Sequence, residues 1–497
     1  MKTLFQKINK RAQRSPQQSA LVSGQKVITN QQLLARIEEL ACELKASKLT
    51  CLALYMDNSI EWIIADLAAM QLGITLIPIP LFFSEQQRQH LISDAGIQAV
   101  ITQSQLSDKF NFSRQQALPH MQLLVLKNSP QPNVQQLQNV AKITYTSGST
   151  GKPKGVCLSA DNLDQVTQAL AGGISDLGIS HHLCVMPLAT LLENIAGVYV
   201  PLLMGSSIQV EALSTVGFTD SSYFDEQQFM KCVEHSQPHS VILLPQLLTS
   251  LIALKQKNPG NFNSLKFAAV GGGKSAQATL ERAHEFALPV YEGYGLSECA
   301  SVVSLNNPSH NRPGSVGKVL PHAGVRISEE GEIIVSGQAM LGYFGHRELG
   351  EQSEGIHNGS NQEIHTGDLG HLDGDGFLYI SGRKKNLIVS SFGRNISPEW
   401  VESQLQLAPQ IAQLAIFGDA KPWLSAVITP AVNRSDADIE RVIQQCNQEL
   451  PDYAQIRSWC RASQAFSAAN QQLTENGRLR RDVIYSHYEN RLNALYA

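Results

Sequence analysis

Between Ile143 and Gly155 the chain crowds hydroxyls, glycines and two lysines into one stretch, ITYTSGSTGKPKG. Glycine backbone brings N–H groups close to phosphate oxygens, Ser and Thr hydroxyls add donors, and lysine offsets the anionic charge. Thr146, Ser147, Gly148, Ser149, Thr150, Gly151 and Lys154 are therefore candidate phosphate ligands. A flexible linker would not need two lysines and a proline at these places. The spacing is not that of a Walker A loop. Gly148 lies too close to Gly151-Lys152, and Pro153 stands where a magnesium-holding Ser or Thr is required. Gly273-Lys274-Ser275 also follows an apolar run and precedes a helical pattern. There, however, Ala268 occupies the place of the first Walker glycine, so only a short glycine turn remains.

The elements that must position such a loop are legible as alternation. Short apolar runs at 51–56, 74–80, 99–102, 123–126, 240–245 and 265–270 read as strands. Helical patterns at 31–47 and 276–287 lie between them. This predicts an α/β protein whose large N-terminal domain has helices covering mostly parallel sheets. After residue 310, glycine-containing turns at Glu330-Gly331 and Asp373–Gly376 separate short strands, which predicts a small antiparallel β region. A compact α+β tail follows from about 400, and 127–140 reads as a surface loop.

At 497 residues the chain is expected to hold more than one domain. A net charge of −4 gives no electrostatic case for nucleic acid or an anionic membrane surface. The eight cysteines are scattered, with no CxxC and no metal-ligand spacing, and read as thiols of a reducing cytosol. The apolar stretch beginning at Trp62 carries Asp66, Pro78 and Pro80, so no integral membrane segment is expected. Residues 1–20 are basic but lack an apolar core of signal-peptide length. A cytoplasmic protein is expected.

Several further segments, taken with the hydroxyl-rich loop, bring a family into view. TYTSGSTGKPKG resembles the phosphate loop of the adenylate-forming (AMP-binding) superfamily, and Gly271-Gly272-Gly273-Lys274 is similar to its adenine-flanking turn. YEGYGLSE (291–298) resembles its YGxTE motif, with Ser297 in place of threonine. Gly331-Glu332-Ile333 and Gly342-Tyr343 match its middle β region, and HTGDLG (365–370) and GRKK (382–385) its ribose and hinge segments. GRNISPEWVE (393–402) looks like the opening of its small C-terminal domain.

The resemblance implies a large ATP- and acyl-binding domain over 1–384 and a small mobile α+β domain over 385–497, hinged at Lys385. It implies nucleotide contacts from Gly272, Gly273, Lys274, Glu292, Gly293, Tyr294, Gly295, Ser297 and Ile380, with Asp368 and Arg383 around the ribose. Thr146 and Glu298 would hold Mg²⁺, which prefers hard oxygen ligands shared with phosphates. Thr146, Lys154, Glu298 and Arg478 would serve the chemistry. The implied reaction is attack of a carboxylate on the α-phosphorus of ATP, followed by transfer of the acyl group to a thiol, most often coenzyme A.

Two segments depart from the pattern. MPLATLLE (186–193) resembles the LPLxH…E segment of fatty acyl-CoA synthetases, yet Thr190 takes the histidine's place. LTENGRLRR (473–481) resembles the segment bearing the adenylation lysine, yet Arg478 stands there and no lysine follows Lys421. The motif style implies a medium- or long-chain fatty acid as substrate. This first reading includes a closely related ligase that loads an acyl carrier protein. The two departures keep open a nucleotide-binding sensor or scaffold without ligase activity. An oxidoreductase of luciferase type on the same fold is a third reading, for which the sequence holds no distinguishing residue.

Overall fold

The computed structural model describes all residues except 128–136, 147–152, 219–223, 261, 274, 338, 346–362, 392–393, 406–407, 475–476 and 497. The apolar runs at 51–56, 74–80 and 99–102 become the parallel strands Cys51–Tyr55, Thr75–Pro78 and Ala99–Thr102. All their residues are buried, as expected of strands covered on both faces. Met121–Leu126 joins antiparallel, and Lys142–Thr146, Lys154–Leu158 and Gly342–Tyr343 extend the opposite side of this eight-stranded sheet. A nine-stranded sheet carries Ser240–Leu243, Phe267–Val270 and Val290–Leu296 side by side in parallel.

Helix Ile60–Leu72 explains the apolar stretch that starts at Trp62. It packs against strands of both large sheets, is buried over most of its length, and ends at Gly73, whose φ of +69° is left-handed. No helix among the described residues is long and apolar enough to cross a membrane. The pattern at 31–47 forms helix Asn30–Ala46, opened by a Thr29/Gln32 capping box. The pattern at 276–287 gives Gln277–Glu285 and stops two residues short, where Ala287 turns left-handed.

Past residue 310, two hairpins build a four-stranded antiparallel sheet, Ala323–Ile327 with Glu332–Gly337 and Glu363–Leu372 with Leu378–Arg383. Its apolar residues join the core of the large unit as far as Leu378, whereas residues from Ile388 onward pack into separate cores. Lys385 lies in the interval between them, in the 3₁₀ turn Lys384–Asn386. The tail places helices Asp436–Glu449 and Arg481–Ala494 on the three-stranded sheet Ile411–Phe417, Leu424–Pro430 and Ile456–Arg461. All eight cysteines are free, and all but Cys42 are buried. Most of the expected loop at 127–140 falls outside the described residues.

Candidate active site

One cavity of about 1730 Å³ is lined by residues of both the large unit and the tail. Thr146 and Lys154 are register partners at the mouth of the phosphate-loop hairpin, and both line it. Ser147, Gly148, Ser149, Thr150, Gly151 and Lys274 lie outside the described residues. Strand Gly342–Tyr343 pairs with Lys154–Leu158 and sets Tyr343 under the lysine, with Lys154 Nζ 5.4 Å from the ring centroid. The Tyr343 hydroxyl donates to Glu298 Oε1 at 2.8 Å. Burial first, then the charge of Glu298, pushes the Tyr343 phenol well above its ordinary value, so it remains a donor. Sequence reading attached no role to Tyr343. Its only signal was the quoted Gly342-Tyr343 pair.

Glu298 is delivered by a tight reversal. Strand Val290–Leu296 enters the 3₁₀ turn Ser297–Cys299, and Ala300 and Ser301 follow with φ of +53° and +98° before the chain returns as Ser301–Leu305. Left-handed conformations at non-glycine residues are strained and cluster where a side chain must be aimed. The return strand runs so close that a Cβ on Gly295 would overlap the Ser301 carbonyl. The glycine is thus needed by packing as much as by any ligand. Gly293, Tyr294, Gly295 and Ser297 all line the cavity.

Asp368 is buried and joins two neighbours. Its Oδ2 accepts from the Tyr294 hydroxyl at 2.7 Å, and its Oδ1 lies 2.8 Å from Arg383 Nε. Tyr294 and Arg383 line the cavity, whereas Asp368 stands behind them. Burial and the Asp368 charge hold the Tyr294 phenol protonated. Gly272 also lines the cavity, while Gly273, Glu292 and Ile380 do not. Glu292 departs from its expected contact role because its carboxylate is buried and accepts from Ser275 N–H at 2.9 Å, bracing the glycine turn. Ile380 packs on the large hydrophobic core.

Arg478 comes from the tail. Thr474 shapes its turn, since Thr474 Oγ1 accepts from Arg478 N–H at 3.0 Å and the Thr474 carbonyl from Gly477 N–H at 2.8 Å. Gly477 is left-handed at φ +74°, and the guanidinium is presented into the cavity with its Nε donating to the Gly272 carbonyl at 3.0 Å. Loss of solvent and the charge of Arg383 hold it below the usual arginine range, while Asp368 and Glu298 pull the other way. Side-chain atoms remain exposed to the cavity, and the group stays cationic.

The other half of the cavity is a channel. Ser240, Val241 and Ile242 line it from strand Ser240–Leu243, and Phe267, Ala269 and Val270 from strand Phe267–Val270, with Leu244 and Gly271 just past the strand ends. Ala196, Val200 and Met204 face it from the opposite wall, while their neighbours Ile195, Val198 and Leu202 fill the core. Thr190 lines it too, its hydroxyl donating to the Pro187 carbonyl at 2.6 Å.

That wall contains a π-turn, Glu193–Tyr199, in which Val200 N–H reaches back to the Ile195 carbonyl. The i→i+5 closure puts residues five apart on one face, and Asn194 and Tyr199 both meet Asp66. Asp66 Oδ2 accepts from Asn194 Nδ2 at 3.0 Å and from the Tyr199 hydroxyl at 2.5 Å, and Asp66 Oδ1 from Lys142 Nζ at 2.7 Å. Lys142 also donates to Asn194 and to Tyr199, and all four side chains are buried. This network ties the phosphate-loop strand to the channel wall.

Residues 8–344 match the AMP-binding enzyme family, and 385–497 match the AMP-binding enzyme C-terminal domain. A 2-succinylbenzoate–CoA ligase of Bacillus licheniformis is 26% identical over 472 residues, spanning 90% of this chain and 93% of that protein. The long-chain-fatty-acid–CoA ligase FadD15 of Mycobacterium bovis is 24% identical over 534 residues, spanning 88% and 86%. Among solved structures, O-succinylbenzoate coenzyme A synthetase of Bacillus subtilis in complex with AMP superposes with a TM-score of 0.74 at 23% identity, covering 96% of this chain and 97% of that one. The chain belongs to the AMP-binding enzyme family, as an AMP-forming acid–thiol ligase of the adenylate-forming superfamily.

Proposed function

We propose that the protein joins a fatty acid to AMP at the expense of ATP, releases pyrophosphate, and passes the acyl group to the thiol of coenzyme A. The observation that carries this reading is the single cavity on which Thr146, Lys154, Glu298, Arg383 and Arg478 converge at one end and an apolar channel opens at the other. The substrate carboxylate is itself the nucleophile, so the protein's work is alignment and charge stabilisation. A carboxylate oxygen forms its bond to the α-phosphorus as the bond to pyrophosphate breaks. Lys154 and Arg478 supply positive charge to the oxygens that gain negative charge, and Tyr294 with Arg383, braced by Asp368, orients the nucleoside. The oxygen donors of Glu298 and Thr146 suit magnesium, which would neutralise the phosphates when bound.

One feature favours a fatty acid over a succinylbenzoate-like acid. The described residues that line the channel half include no lysine or arginine, and a second carboxylate buried there would lack a cationic partner. Acid-dependent ATP–pyrophosphate exchange tests the reading with octanoic, dodecanoic, hexadecanoic, benzoic and 2-succinylbenzoic acids, followed by coenzyme A or an acyl carrier protein as acceptor. Fatty acids are expected to exceed 2-succinylbenzoate at least tenfold in kcat/KM, as burial of each methylene adds about 0.8 kcal/mol. Exchange with aryl acids alone would overturn the fatty-acid assignment, and nucleotide binding without any exchange would favour the sensor.

Arg478→Ala is expected to lower exchange by about 10²–10³-fold, the usual effect of losing one charge-stabilising donor. Thioester formation from preformed acyl-AMP should fall much less, because the bond to pyrophosphate is already broken. Exchange at the unaltered rate would remove Arg478 from the adenylation step.

A further inference from the structure

The channel lining is mainly apolar, with hydroxyls at Thr190, Ser206, Ser214 and Ser250, and at one station buried polar groups are linked to one another. His182 and Ser240, both cavity-lining, meet through His182 Nδ1 and Ser240 Oγ at 2.9 Å, and His182 Nε2 lies 3.4 Å from Glu193 Oε1. All three side chains are buried. The direction of each hydrogen bond follows from counting donors. Glu193 already accepts the Met186 N–H at Oε2, 3.3 Å away, while the Cys184 thiol donates to the Gly197 carbonyl at 3.6 Å. An ionised carboxylate can only accept, so His182 presents Nε2–H to it, which leaves Nδ1 of the neutral ring as the acceptor. Nδ1 then takes the Ser240 hydroxyl proton. Ser240 Oγ is left with lone pairs and no proton to offer on the side that faces the channel.

An acceptor set into an apolar wall is matched by a donor on the ligand, and an acyl chain can carry one as a hydroxyl. We propose that Ser240, held by His182 and Glu193, is a specificity-determining acceptor for a hydroxyl on the acyl chain, and that the preferred substrates are hydroxy fatty acids. The inference rests on the fatty-acid reading above. Position follows from the strand. Ser240 lies four residues before Leu244, which sits at the nucleotide end beside the Gly271–Gly272 turn, and four residues of strand span about 13 Å. The hydroxyl therefore belongs to the distal part of the chain, not to the carbons next to the carboxylate.

Exchange kinetics on matched acids test this. The probes are decanoic and dodecanoic acids, their 3-hydroxy and terminal-hydroxy forms, and chains of the same length carrying a distal ketone. A distal hydroxyl is expected to raise kcat/KM about 3- to 10-fold over the plain acid, the yield of one neutral hydrogen bond, whereas a 3-hydroxyl should not. Ser240→Ala should bring that ratio to about one, and His182→Gln should lower it, with the ratio serving as the readout so that a general loss of activity does not mimic the effect. Equal kcat/KM for distal-hydroxy and plain acids in the unmodified enzyme overturns the inference and leaves the fatty-acid reading standing. A preference for the ketone overturns it by reversing the donor count. No exchange with any acid overturns both.

Discussion

Glu298→Gln is expected to lower acid-dependent ATP–pyrophosphate exchange by about 10³-fold, at the upper end for removal of a single charge-stabilising group. The substitution keeps the shape of the side chain, and the amide oxygen can still accept from the Tyr343 hydroxyl that now bonds Glu298 Oε1 at 2.8 Å. What disappears is the negative charge beside Lys154 and Tyr343 at the turn where the strand reverses. Magnesium is bound through charged and neutral oxygens, and loss of the one carboxylate assigned to it weakens its placement against the phosphates. Tyr343→Phe is the control. It removes one hydrogen bond and leaves the carboxylate, so its effect should be about 2- to 10-fold. Thermal unfolding should differ little between the parent and Glu298→Gln. Exchange within a few-fold of the parent would remove Glu298 from its assigned role.

Lys142→Met carries the second large effect, on stability. Lys142 is fully buried, and desolvation lowers its pKa while Asp66 opposes the shift. Removing one partner of a buried pair leaves the other charge uncompensated and costs about 3–5 kcal/mol. The Asp66 carboxylate would keep only Asn194 and Tyr199 as donors. At roughly 2–4 °C per kcal/mol for a large domain, the melting transition of the large unit should drop by about 6 °C or more. Asp66→Asn alone should also destabilise. The double variant should lose clearly less than the sum, because both changes disrupt one interaction. Strict additivity in denaturant or thermal unfolding would show that the pair is not coupled.

The sequence made the chemistry-bearing segments legible and left their mutual support hidden. The phosphate hairpin, the glycine turn, the strand ending at Glu298 and the Asp368 and Arg383 segments could be picked out because close approach to a nucleotide demands unusual local residue types. The strands near 51–56, 74–80 and 99–102 were equally plain, since burial on both faces gives unbroken apolar runs. Contacts between remote positions leave no such trace. Asp66 registered only as a charge that argued against a membrane span, and Lys142 passed unnoticed one residue ahead of the phosphate loop. Nothing periodic links them across 76 positions. Glu292 shows the converse. Its motif placed it among nucleotide contacts, but burial and the Ser275 amide make it a brace. Which residues of 195–205 and 242–254 face a channel and which fill a core depends on the direction of each wall, and that is fixed only when helix and sheet are packed together.

The π-turn at Glu193–Tyr199 makes the bore of the channel adjustable. Such a turn is equivalent to an α-helix that has accepted one extra residue. Deleting Ala196 would let the segment relax to 3.6 residues per turn and leave the Asn194 and Tyr199 side chains four positions apart, about 40° out of line and still on one face. The grip on Asp66 would survive while the wall lost a side chain. A single-codon insertion or deletion at this point therefore offers a route to a different acyl preference that leaves the anchoring of the wall in place.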